Sequence, residues 1–276
     1  GTGLSRAPAG SAAALIRRID EARAAGIDVT MAQYPYTAGS TFLHVVIPPW
    51  YHSRGVDGLL RALREERGAI KHDLDTRMDW ENFSQSVGWE KIFVSSVVSE
   101  ANQPCVGKSI SQIAAERGHA DPADAAFDLL VEEQLAVGMI SFGLDEADIT
   151  AIMRHPAVSF ITDGLMSGRP HPRAYATYPR ILGRYVREQG VLSLEEAVRK
   201  MTSLPARKIR LRNKGVIAEG YDADLVVFDP DTVIDKNSYD DPRVHPAGIA
   251  HVLVNGVFVV EDAALTGARP GRVIRD

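Results

Sequence analysis

The chain has 276 residues, a formal charge of −5 and a single cysteine, with 45% hydrophobic and 24% charged residues. That length can bury a substantial core in one large domain, or one plus a small second unit. The acidic balance gives no reason to expect nucleic acid or an anionic lipid surface as partner, no apolar run reaches the ~18 residues of a membrane span, and the lone Cys105 excludes an internal disulfide framework and fits a reducing cytoplasm.

In chain order, residues 11–25 place Leu15, Ile16, Ile19 and Ala22 on one helical face, with Gly26 able to end the helix. Residues 27–32 read as a short strand, broken by the turn-forming run Tyr34-Pro35-Tyr36-Thr37-Ala38-Gly39-Ser40-Thr41. A helix, then a strand, then a loop is the α/β pattern, with ligand contacts expected where the strand ends. Residues 48–102 are less regular, with a helix over 56–67 and a strand over 92–98. Trp50, Trp80 and Trp89 all fall in this stretch, which reads equally well as a lid over a pocket or as a satellite core.

Helices follow over 109–117 and 121–135, the second opened by Asp121 as N-cap and Pro122 at the first helical position. A strand over 138–142, a helix over 145–154 and a strand over 158–162 lead directly to Asp163. Further helices are predicted over 178–188, 194–202 and 206–211, with Ser193 and Glu196 at capping-box spacing. After Lys214 the chain turns β-rich, over 224–228, 249–254 and 257–260, and Asn255-Gly256 between the last two is a hairpin signal.

Asp163 is the first candidate for chemistry. An aspartate at a strand end can bind a divalent metal and take a proton from a metal-activated water, although Asp before Gly is also a common turn. Arg173, ten residues on, offers a donor fork that matches a substrate carboxylate, or else a structural ion pair. His171, between two prolines, is a residue to orient a loop or to donate to substrate. Tyr34 and Tyr36 could line a pocket or simply pack. None of the eight histidines forms His-x-His or His-Glu-x-x-His, so no zinc site of recognisable spacing is present. Val106-Gly107-Lys108-Ser109 lacks the upstream glycines of a phosphate loop, and Cys105 reads as a small buried hydrophobe.

The tyrosine loop, Val106-Gly107-Lys108-Ser109, Thr162-Asp163-Gly164, His171-Pro172-Arg173, Met201-Thr202-Ser203-Leu204-Pro205-Ala206 and the tail Gly220-Tyr221-Asp222-Ala223-Asp224-Leu225-Val226-Val227-Phe228-Asp229-Pro230 together resemble the N-acyl-D-amino-acid deacylases, or D-aminoacylases, of the amidohydrolase superfamily. The resemblance runs over nearly the whole chain. It implies the C-terminal part of a zinc-dependent (β/α)8 barrel over residues 1–212, with an irregular insertion at about 48–102, and strands of a small β domain over 213–276. It also implies hydrolysis of N-acyl-D-amino acids, with Asp163 as catalytic and metal-binding carboxylate and Arg173 holding the substrate's α-carboxylate. Tyr34, Tyr36 and His171 are placed at substrate.

Other cyclic-amide or N-carbamoyl amidohydrolases share the tail motif, and a metal-free fragment that binds a ligand or partner is the rival from another class. The resemblance also implies zinc ligands that the chain lacks: an early His-x-His pair, a strand-end cysteine and further histidines. Gly1 has no initiator Met before it and reads as a loop under way. The expectation is therefore that the N-terminal half of the barrel lies in a longer protein or a second chain. Without it, open strand edges and apolar surface would be exposed and the isolated chain would be inactive.

Overall fold

The computed structural model describes residues 11–166 and 168–274. In chain order it begins with α1 (Ser11–Ala24), β1 (Met31–Gln33), β2 (Ala38–Phe42), α2 (Pro49–His52), α3 (Gly55–Glu65), α4 (Arg67–Thr76), α5 (Phe83–Ser86) and β3 (Ile92–Ser96). It continues with α6 (Ile110–Arg117), α7 (Pro122–Glu132), β4 (Gly138–Phe142), α8 (Glu146–Arg154), β5 (Val158–Phe160) and α9 (Arg173–Arg180), followed by a π-helical segment, Ile181–Glu188. The last elements are α10 (Leu194–Met201), α11 (Ser203–Lys208), β6 (Leu225–Phe228), β7 (Ile249–Val254), β8 (Val257–Glu261) and β9 (Ala264–Leu265). These residues gather into two units, one built from 11–15, 36–149 and 164–174, the other from 16–35, 150–163 and 175 onward.

The first unit is organised by β4, which pairs antiparallel with β2 on one side and β3 on the other. Gly138 to Ser141 are all buried, so this strand is core on both faces rather than alternating. Leu59 and Leu63 of α3, Ile70 and Leu74 of α4, Ile113 of α6 and Phe127 and Leu130 of α7 form one cluster with Met139. Their sequence spacings of three and four put each pair on one helical face. Local signals set the helix limits. Ser109 and Gln112 close a reciprocal capping box on α6, Gly118 ends it at φ +74°, and the Asp121 carboxylate caps α7 by accepting from the Ala123 amide.

The tryptophans resolve to core packing. Trp50, Trp80 and Trp89 lie partly buried against this cluster. Trp50 meets Trp80 edge-on at 6.0 Å, Arg77 stacks 3.9 Å above Trp50, and Trp50 Nε1 and Tyr51 Oη both donate to Asp73.

The second unit contains a parallel pair, β1 with β5, in the register Met31↔Val158, Ala32↔Ser159 and Gln33↔Phe160. It also contains a four-stranded antiparallel sheet in the order β6-β7-β8-β9. Asn255 and Gly256 take φ of +49° and +78°, the doubly left-handed turn that Asn-Gly supports between β7 and β8. On β6 the consecutive residues Val226 and Val227 are both exposed, at 55% and 50%, so both faces of that strand present apolar surface. Among the described residues no helix is long and apolar enough to cross a membrane.

Several elements differ from the sequence expectation. The strand predicted over 27–32 begins only at Met31, because β5 offers three residues to pair with and Ile27 lies 59% exposed. The Ala-Gly-Ser-Thr stretch, predicted as loop, is β2: pairing with β4 outweighs its weak strand propensity. The helix predicted over 178–188 starts earlier, at Arg173, kinks at Ala176 and widens into the π-helical segment. The 206–211 helix sits earlier, as α11, and α4 and β9 carried no clear signal.

A buried carboxylate ties the end of α7 to the chain after β3. Burial opposes ionisation of Glu133, but hydrogen bonds from the Ser99 hydroxyl, the Asn102 amide and the backbone N–H groups of Ser99 and Val98 hold its carboxyl down at about 2. Its folded state therefore ionises below the ordinary 4.5, and the stabilisation is complete above that pH and lost as pH falls towards 2. We expect Glu133→Gln to cost on the order of 3 kcal/mol at neutral pH. Thermal unfolding between pH 6 and 3 should show the wild type losing stability faster than the variant; parallel curves would contradict this.

Candidate active site

In the second unit, Tyr34 and Asp163 both follow the C-terminal ends of parallel neighbours. The ladder continues one step beyond the strands, where the Ile161 amide donates to the Gln33 carbonyl at 3.0 Å. Tyr34 is half-buried, and Asp163 is exposed with φ +46°. Parallel strands in α/β folds carry their reacting groups at this end. The left-handed backbone at Asp163 is tolerated by a short polar side chain and turns the chain sharply out of the strand.

The approach to β5 is held by groups that the sequence did not single out. Lys200 on α10 is fully buried, and its ammonium donates to the carbonyls of Met153 and His155, which end α8. Burial pushes this ammonium down to about 8 despite the nearby Glu196 carboxylate. His155, just after α8, accepts from the Ala157 amide through Nδ1, leaving Nε2 to donate to Asp20 at 2.9 Å. Lys200→Ala would leave a cavity and two carbonyls without their donor, a cost of about 2–4 kcal/mol. Calorimetry should record a melting temperature lowered by several degrees; an unchanged value would show that these bonds do not hold the α8–β5 turn.

In the first unit, Tyr36, His171 and Arg173 gather against β2. His171 is buried; its Nδ1 accepts from the Arg173 amide at 3.0 Å, and its Nε2 therefore carries the proton and donates to the Ala38 carbonyl at 3.0 Å. Both ring nitrogens are thus engaged by backbone, the geometry of a residue that orients its loop. Tyr36, 2% exposed, meets the His171 ring edge-on at 5.0 Å. The Arg173 guanidinium is 1% exposed and donates through Nη2 to the Ser40 carbonyl at 3.0 Å. A buried guanidinium is a cation with a strong electrostatic preference for a nearby anion. Separately, a cavity of about 420 Å³ in this unit, lined among others by Phe42, His44, His52 and Leu59, includes none of the five candidate residues.

A zinc site needs three or four nitrogen, sulfur or oxygen donors converging on one point. Asp163 offers a suitable oxygen, but among the described residues no group of three or more His, Cys, Asp or Glu could hold a metal ion. The residues present therefore do not by themselves fit a zinc centre. Cys105 is buried and reduced, as expected of a small hydrophobe. Gly107-Lys108-Ser109 serves as the turn into α6, with Ser109 as its cap.

Comparison with known proteins places these observations. The profile described as "Amidohydrolase family" matches residues 103–260. An N-acyl-D-glutamate deacylase from Alcaligenes xylosoxydans xylosoxydans is 39% identical over 96% of this chain and 45% of its own length. A D-aminoacylase from the same organism is 36% identical over 92% of this chain and 43% of its own. The crystal structure of N-acyl-D-glutamate deacylase from Bordetella bronchiseptica, complexed with zinc and a phosphonate inhibitor, superposes with a TM-score of 0.74 at 34% identity, covering 97% of this chain and 47% of that one. The chain thus spans about half the length of the relatives it matches. Over that span its mixed α/β architecture, with additional strands in a small β unit, matches (β/α)8-barrel amidohydrolases. The chain belongs to the amidohydrolase superfamily, in its D-aminoacylase/N-acyl-D-amino-acid deacylase family.

Proposed function

We propose that this chain carries the C-terminal portion of an N-acyl-D-amino-acid deacylase, a hydrolase that cleaves the amide to release a carboxylate and a free D-amino acid. The observation that carries the reading is 39% identity to an N-acyl-D-glutamate deacylase over nearly the whole chain, with a carboxylate at a parallel-strand end and a buried guanidinium among the residues retained. In this reading Asp163 takes a proton from the attacking water and delivers it to the leaving amine nitrogen. Arg173 binds the substrate α-carboxylate through its donor fork, and His171 keeps the Arg173 loop in register with β2.

Tyr34 and Tyr36 flank the substrate from the loop after β1. Zn2+, the ion named with the Bordetella relative, would when bound make water more acidic and polarise the acyl carbonyl. Asp163 is the residue we assign to it here, and the remaining ligands are assigned to the half of the relatives' length that this chain does not match. Extra coverage of this kind would also bury the exposed valines of β6. In domain terms, residues 1–212 belong to the barrel, with 48–102 inserted, and 213–276 to the β unit. The single buried Cys105 supports a cytoplasmic setting.

The test uses the intact protein purified from its natural source, with bound zinc measured and N-acyl-D-amino acids as substrates. Asp163→Asn should lower kcat by about 10²- to 10⁴-fold, the range of a lost proton-transfer group. Arg173→Lys keeps the charge but loses the fork, and should raise KM by roughly ten- to a hundredfold. Full activity in Asp163→Asn would remove the catalytic assignment. An unchanged KM in Arg173→Lys would remove the carboxylate anchor.

A further inference from the structure

The carbonyl of Pro35, between the two loop tyrosines, receives a donor from an arginine whose own position is set by a distant carboxylate. Arg180 Nε donates to Pro35 O at 2.8 Å, and the Tyr185 hydroxyl lies 3.5 Å from the same oxygen. The other end of the Arg180 guanidinium is taken by Asp235, with Nη1 to Oδ2 at 2.8 Å, while Arg184 Nε donates to Asp235 Oδ1 at 3.1 Å. The Asp235 side chain is 1% exposed.

Two further contacts fix that carboxylate. Arg187 Nη1 donates to the Val233 carbonyl at 2.6 Å. The π-helical segment also runs so close to residues 233–234 that a Cβ on Gly183 would come within 2.7 Å of the Val233 carbonyl and 3.1 Å of the Ile234 Cα. Only glycine permits that approach.

We propose that Asp235 is a positioning residue for the Tyr34-Pro35-Tyr36 loop, acting through Arg180. The peptide plane couples a carbonyl to the next amide, so anchoring Pro35 O fixes the direction in which the chain delivers Tyr36. Asp235 makes this possible by pairing with a guanidinium that is mostly withdrawn from water, its side chain 18% exposed, beside a carbonyl. Without it, Arg180 loses the carboxylate that fixes its Nη1 edge and swings away from Pro35. The functional half of this inference rests on the reading that the tyrosine loop flanks the substrate.

Hydrogen exchange of the peptide covering residues 33–37, measured on the intact protein, tests it. Asp235→Asn, Arg180→Lys and Gly183→Ala should each speed exchange there by about tenfold or more, with the β6–β9 sheet unchanged. Asp235→Glu should restore most of the protection, and Arg184→Met, which leaves the Asp235–Arg180–Pro35 chain intact, should alter it less than twofold. In the deacylase assay Asp235→Asn should raise KM several-fold with kcat changed less than twofold. Unaltered exchange at 33–37, an equal increase across the whole unit, or an unmoved KM would overturn the proposal. Exchange is read whether or not the protein hydrolyses an N-acyl-D-amino acid, so failure of the deacylase reading is seen separately.

Discussion

Three residues of parallel pairing between β1 and β5 set the geometry on which the candidate chemistry depends. The register Gln33↔Phe160 fixes where both strands stop, and so places Tyr34 and Asp163 beyond the same strand end. A ladder this short contributes few hydrogen bonds and cannot hold itself. Its flanks are therefore braced by charge. Lys200 fastens the α8 terminus that leads into β5, His155 is tied to Asp20, and Arg180 fastens the loop that leaves β1. Each of these bonds reaches across tens of residues of sequence.

The molecule uses buried charge in a consistent way. Glu133, Lys200, Arg173 and Asp235 are all nearly or fully hidden from solvent, and each is engaged by backbone groups or by an opposite charge. Burying a charge without such partners is prohibitive, so each of these sites specifies a single local arrangement rather than adding a large net stability. Glu133 and Lys200 illustrate the two signs. Four donors override burial and keep the glutamate ionised, whereas burial dominates at the lysine and lowers its affinity for a proton. Glu133 and Lys200 brace the fold, whereas in the proposed function Arg173 presents its fork to the substrate carboxylate.

Much of this was legible in the residues. Helix α1 came from its apolar spacing, and Leu15, Ile16, Ile19 and Ala22 are half-buried along one side as that spacing requires. Capping chemistry placed α7 and α10, and Asn-Gly placed the β7–β8 turn. What failed to show was decided by partners distant in sequence. Ala38 to Phe42 have weak strand propensity and become a strand only because β4 lies alongside. For the same reason the sequence did not single out Lys200 or Asp235, since nothing local marks a lysine whose acceptors are 47 and 45 residues away. His171 was read as either substrate donor or loop anchor, and its two backbone bonds favour the anchor. The role of Arg180 likewise needed the Pro35 carbonyl and Asp235 to be seen together.

The account turns on a D-specific amide hydrolysis in which these residues take part. The most direct measurement is the chirality of the amino acid released when the intact, zinc-loaded protein is given a panel of racemic N-acetylamino acids with acidic, polar and apolar side chains. The account predicts D-amino acid alone, with the L-enantiomers left acylated. Release of an L-amino acid, of both enantiomers, or of none from the whole panel would contradict it.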